Sequence, residues 1–109
     1  DSILGQWTSA DLVSDPLLFN PAYQQFSELN LQSVTFRENG IVEKVSKNGT
    51  RQDTWTKGLI MTNYLHEHLS SRCFLATVDG NVYLFYEWKT GDYIYRNSTS
   101  FMYYVFTKK

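Results

Sequence analysis

An all-β fold, an antiparallel up-and-down barrel of about eight strands, is what this sequence predicts, and three observations predict it. Short segments rich in β-branched and aromatic residues are separated by tight-turn dipeptides: Asn39-Gly40, Asn48-Gly49, Asp79-Gly80 and, more weakly, Thr90-Gly91. Aromatic residues make up 17% of the chain and concentrate in its C-terminal half, where strands need large apolar side chains. The final stretch, NSTSFMYYVFTKK, is apolar on both faces of an extended chain, as expected of a last strand that closes on the first and removes both sheet edges.

Taken in order, Gly5-Gln6-Trp7 leads into a first strand, WTSADLV. Residues 14–28 then change character. Asp15-Pro16 and Asn20-Pro21 are turn or helix-start signals, with Pro suited to the first helical position. Tyr23 and Phe26, three apart, share one side of a short helix. A short helical segment between strands 1 and 2 is therefore expected, either as a lid over the barrel mouth or as a crossover plugging the barrel end. Residues 29–38 read as the second strand and residues 41–47 as the third, with hairpin turns after each. Residues 51–62 read as one further strand, with Gly58 as a bulge or bend, and Lys44 falls opposite Asp53 as a surface pair of little worth. Residues 63–70 read as a solvated link between the halves. His66, Glu67 and His68 raise a metal site, but a site normally needs three or four protein ligands, and the sequence has no third His and no second Cys. No metal or other cofactor is expected.

The register is clearest around Asp79-Gly80. A type I′ turn there pairs Val78 with Asn81, Leu75 with Leu84, Cys73 with Tyr86 and Arg72 with Glu87. If Thr90-Gly91 makes a second two-residue loop, Trp88 faces Tyr93, Glu87 faces Ile94 and Phe85 faces Arg96. Alternation then sorts the side chains into two faces. One, with Cys73, Leu75, Val82, Leu84, Tyr86 and Trp88, is a core. The other, with Phe74, Ala76, Val78, Tyr83, Phe85 and Ile94 and with Arg72, Glu87 and Arg96 at one end, is too apolar for a wet surface. A helix, a ligand or a partner must cover it.

The 109 residues fit a single domain, 1–109, and 42% hydrophobic content fits an ordered globular chain. A net charge of −1 without a basic stripe argues against binding nucleic acid. No apolar run approaches the roughly 18 residues of a membrane span. The single cysteine, Cys73, reads as a small buried hydrophobe. A chain beginning at Asp1 without a methionine reads as a processed product or excised domain.

Gly-x-Trp at the start of a first strand is a lipocalin hallmark. GQWTSADLV, WTKGLI, DGNVYLFYEWKTGDYIYR and MYYVFTKK together resemble a small bacterial lipocalin-like, calycin-type domain. In Firmicutes it occurs alone or C-terminal to membrane zinc metallopeptidases related to β-lactam sensor-transducers. The most specific part is Glu87–Arg96. The departure is Asn97-Ser98-Thr99, where that family tends to have a Gly and a Pro. The resemblance implies a calycin barrel outside the cytoplasm with a binding or sensing role, and it assigns no catalytic residue.

The sequence has no Gly-x-Ser-x-Gly, HExxH or phosphate-binding loop, so a non-enzyme is expected. The candidate ligand site is Arg72, Glu87 and Arg96, two guanidiniums around one carboxylate, with Phe74, Tyr83 and Phe85 flanking the apolar tail of a small amphipathic or anionic ligand. Two other readings of the same residues stand beside it. One is a cross-strand salt-bridge ladder on the outer surface. The other is an apolar patch for a protein partner or a neighbouring domain of a parent chain.

Overall fold

The structure, a computed structural model, describes residues 2–64, 67–89 and 102–109, with backbone alone at 63, 64, 67 and 68. Its strands are β1 (Gly5–Val13), β2 (Leu31–Phe36), β3 (Ile41–Ser46), β4 (Gly49–Thr56), β5 (Leu59–Tyr64), β6 (Glu67–Val78), β7 (Asn81–Trp88) and β8 (Met102–Lys108). Each pairs antiparallel with the next and β8 returns to β1, so the sheet closes into an eight-stranded up-and-down barrel. Closure gives each described strand a neighbour on both sides, although the β4–β5 ladder holds only three pairs, Thr54–Met61 to Thr56–Leu59.

The β6–β7 hairpin has the expected register, from Cys73 opposite Tyr86 to Val78 opposite Asn81. Asp79 (φ 51°) and Gly80 (φ 82°) both occupy the left-handed region that a type I′ turn requires. Four expectations are corrected. Residues 51–62 are not one strand: β4 and β5 turn back on each other, with Thr56 opposite Leu59 and only Lys57 and Gly58 between them. Gly58 supplies a positive φ of 80° while Lys57 does not, so the turn lacks the Asn-Gly or Asp-Gly signature of a primed hairpin. The next turn sits one residue early. Ser46 pairs with Gly49, which makes Lys47 and Asn48 the turn and places Lys44 opposite Arg51. The expected loop at 63–70 is largely strand, with Asn63 opposite His68 and Tyr64 opposite Glu67; His66 lies outside the described residues. Finally, β7 takes β8 as its second neighbour. Phe85 faces Val105, Glu87 faces Tyr103 and Trp88 faces Met102, the places expected of Arg96, Ile94 and Tyr93. That pairing gives β7 a six-residue ladder and, through β1, closes the barrel. Residues 90–101, Arg96 among them, lie outside the described residues.

The interior core draws on strands all round the barrel: Trp7, Leu12, Leu31, Val34, Phe36, Val42, Ile60, Cys73, Leu84, Tyr86, Tyr104 and Phe106. It is the face that the hairpin register marks as core. Burial pushes the Cys73 thiol up to about 11, as fits a small apolar filler. At one end Trp7 donates its indole N–H to the Ile3 carbonyl (2.8 Å), and the Lys108 ammonium lies 4.8 Å from its ring centroid.

A register shift between Ser9 and Asp11 reverses the phase of β1, so Trp7 and Leu12 point inward while Val13 points out. The β1–β2 connection uses that outward face. Its helical element is a single 3-10 turn, Pro16–Leu18, with Pro at its start and the Asp15 carboxylate accepting the Leu17 N–H. The Tyr23–Phe26 segment expected as helix is not helical. Phe19 instead packs on the outside of the barrel, edge-on to Tyr83 (4.8 Å) and Phe85 (5.9 Å), with Val13 and Val105 beside it. The second sheet face is thus covered, at least in part, by the chain itself. Further along, Asp11, 1% exposed, accepts backbone N–H groups from Leu12, Gln25 and Phe26. Phe26 and Leu29 then reach back against the interior core.

Candidate functional site

The residues singled out from the sequence fall on the outer face. Arg72 and Glu87 do meet: the Arg72 backbone N–H donates to Glu87 Oε1 (3.2 Å), and its Nε lies 3.9 Å from Oε2. Lys89 stands 3.7 Å from the same carboxylate, and Arg72 Nη2 donates to the Tyr103 hydroxyl (2.8 Å). With 62% of its side chain exposed, Arg72 belongs to a solvated cross-strand ladder. Phe74, Tyr83 and Phe85 share that face but pack against one another and Phe19; Phe74 stacks on Phe85 at 5.4 Å. Phe19 thus occupies part of the face they form, while Phe74 stays half-buried.

A second polar cluster lies inside. Val42 and Lys44 of β3 share the face that Val34 and Phe36 present from β2, so Lys44 points into the barrel and is only 5% exposed. Its ammonium meets Asp53 Oδ2 at 2.5 Å and donates to the Tyr86 hydroxyl at 3.3 Å. In an eight-stranded ring β3 and β7 are four places apart, so the Lys44–Tyr86 hydrogen bond crosses the lumen. Asp53 also accepts from Thr62 Oγ1 (3.2 Å), and Arg51 Nε stands 3.5 Å from its other oxygen. Burial pushes the Tyr86 phenol upward, partly offset by the Lys44 charge and by hydrogen bonds with Lys44 and Thr62, so it stays a neutral hydroxyl.

Aromatic rings frame this layer. Trp88 stands edge-on to Tyr86 (5.5 Å) and to Tyr104 (5.3 Å), and the Lys44 ammonium lies 5.4 Å from the Trp88 ring centroid. Tyr104 accepts the Leu31 N–H (3.3 Å). The layer lies toward the barrel end where β3 finishes and β4 begins, and Arg51 there keeps 35% of its side chain exposed. Two cations and one carboxylate thus converge inside the barrel, bordered by a hydroxyl pair and indole.

Sequence reasoning took Lys44 and Asp53 for a surface pair. They are a buried one, diagonal to each other and on the same face, because Asp53 pairs with Val42. Among the described residues no cluster of His, Cys, Asp and Glu could hold a metal ion. This donor set, rich in cations and poor in carboxylates, suits an anion. No protein-family profile matches the chain, and neither a curated protein nor a solved structure matches it.

Proposed function

We propose that this chain is a non-catalytic, lipocalin-like binding or sensing barrel. Its ligand is a small amphipathic molecule with an anionic head group, taken into the barrel at the Lys44–Asp53–Arg51 layer. The observation that carries this reading is the Lys44 ammonium, 5% exposed, held across the lumen between Asp53 and Tyr86. Burying an ion pair in an apolar barrel costs several kcal/mol of desolvation that hydrophobic residues would avoid. A charged layer retained there is better explained by recognition than by stability. The closed eight-strand topology and the Gly5-Gln6-Trp7 start support the lipocalin-like assignment. The extracytoplasmic setting rests on the same resemblance.

Titration with a fluorescent fatty-acid probe tests the reading. Wild type is expected to bind one-to-one and saturably. The Lys44→Met/Asp53→Leu double variant, which removes both charges together, is expected to bind at least about tenfold more weakly, a loss of about 1.4 kcal/mol. Arg72→Ala in the same titration separates the two faces: a comparable loss there would place the head group on the outer ladder. A folded wild type that binds no amphiphile sinks the proposal.

The alternative, a protein-interaction barrel, draws on the 3-10 turn. Leu17 is 91% exposed, and Leu18 and Tyr23 are also exposed. Association that rises with concentration and is lost in Leu17→Ser/Leu18→Ser would favour it.

A further inference from the structure

The chain has three tryptophans, and two of their indole N–H groups are satisfied within the protein. Trp7 donates to the Ile3 carbonyl at 2.8 Å and Trp55 to the Arg37 carbonyl at 2.9 Å. Trp88 Nε1 is buried and has no hydrogen-bond partner among the described residues. A buried donor left without an acceptor costs about 1–3 kcal/mol, which is why native structures hold few of them. The ring is not loosely placed. It is wedged edge-on between Tyr86 and Tyr104, both fully buried, so the N–H is held in a fixed direction.

The orphan donor stands beside the cation of the interior layer. Lys44 Nζ is 5.4 Å from the Trp88 ring centroid, and Asp53 and Tyr86 take two of the ammonium's three donors. An anion that accepts the indole N–H therefore lies in the field of the same ammonium, 5.4 Å from the ring centroid.

We infer that Trp88 Nε1–H is the head-group donor of the binding site. It takes one oxygen of a carboxylate or similarly compact oxyanion, with Lys44 supplying the neighbouring positive charge. This rests on the binding reading above and narrows it. The ligand must offer an anionic acceptor at its polar end; a neutral ester loses the charge term, and a cationic head group is repelled. Trp88 sits near the β7 end of the hairpin, opposite Met102, so the apolar remainder of the ligand lies among the partly buried Met102 and Leu29 side chains of the core margin.

The test follows the three indole resonances in proton–nitrogen correlation spectra of the isotope-labelled chain, with Trp88→Phe identifying the Trp88 signal by its absence. Dodecanoate, methyl dodecanoate and dodecyltrimethylammonium are titrated in parallel, with calorimetry reporting binding independently. Dodecanoate is expected to shift the Trp88 indole proton downfield and saturably, leaving Trp7 and Trp55 in place, while the other two amphiphiles leave the signal where it was. Trp88→Phe is expected to weaken dodecanoate binding about ten- to hundredfold, the range for a hydrogen bond to a charged group. If dodecanoate binds by calorimetry while the Trp88 signal stays still, the head group lies elsewhere; the inference fails and the binding reading stands. If the Trp88 proton shows contact with a bound water that persists at saturation, the orphan is hydrated and the inference fails. If no amphiphile gives heat or a shift, the binding reading itself fails. The wild-type titration decides these outcomes even should Trp88→Phe fold poorly.

Discussion

Asp53 is the residue on which the interior layer turns. It takes Lys44 on one oxygen at 2.5 Å, Arg51 on the other at 3.5 Å, and the Thr62 hydroxyl. Removing it strands a lysine that is 5% exposed, whereas removing Lys44 leaves Asp53 still facing Arg51. Asp53→Ala is therefore expected to destabilise the protein by about 3–5 kcal/mol in urea unfolding, and Lys44→Met by clearly less. Equal losses would mean that Arg51 gives Asp53 no support. A second prediction concerns Cys73, whose thiol titrates near 9.0 in an open chain and at about 11 in the fold. The raised value means that the folded chain holds its proton longer. Its stability contribution is therefore intact below pH 9 and is lost as pH rises through 11. Between these limits the urea midpoint of wild type should fall more steeply than that of Cys73→Val, and parallel curves would show that the thiol does not report burial. Cys73 was legible as a buried hydrophobe because its hairpin register was. Lys44 was not, for an identifiable reason. β3 reads Ile41-Val42-Glu43-Lys44-Val45-Ser46, with Ile41, Glu43 and Val45 on one face and Val42, Lys44 and Ser46 on the other, so alternation alone favours the wrong side as the inward one.

Among the elements, the β1–β2 connection departs furthest from expectation. Asp15-Pro16 did mark a helical start, but the element ends after one 3-10 turn, and the apolar residues beyond it are divided between two faces. Phe19 covers the outer surface while Phe26 and Leu29 return to the interior core. What permits the division is the phase reversal in β1, which turns Asp11 outward beneath the segment it pins. A bulge of this kind leaves no trace in WTSADLV, and this is why the cover of the second face could be demanded from the sequence but not identified. Phe19→Ala is expected to cost about 3 kcal/mol, at the low end for a buried phenylalanine because the connection can relax. It should also uncover Tyr83 and Phe85 to an apolar dye. Leu17→Ala, two residues away at a side chain 91% exposed, should change stability by less than about 0.5 kcal/mol. Comparable effects at the two positions would mean that the strap does not pack as described.

At the scale of the whole molecule, an eight-strand barrel was legible, yet the expected count came from compensating differences. It fused β4 with β5 across a Lys57-Gly58 turn and took residues 93–96 as a strand beside β7. Closure is the global constraint that resolves both, because a sheet closes only when its last strand pairs on both sides. β8 does this, meeting β7 from Met102 to Thr107 and β1 from Tyr103 to Lys108. Few single strands in the chain carry as much. Tyr104 and Phe106 are fully buried in the interior, and Val105 is buried with Phe85 and Phe19 outside. Truncation after residue 101 would strip both faces and open β1 and β7 as adjacent, largely apolar edges, the arrangement that promotes strand-to-strand association. The truncated chain is expected to lose cooperative unfolding and to associate as concentration rises. A synthetic peptide of residues 102–109, added in excess, should restore a monomer by reoccupying the gap, as strand addition to an open edge does. Because Tyr104 forms one wall of the Trp88 slot, the restored complex should also regain dodecanoate binding, and a peptide carrying Tyr104→Ala should restore the monomer with weaker binding. A truncated chain that unfolds as cooperatively as the whole would show that the barrel does not depend on closure, and the lumen would then be no basis for a binding site.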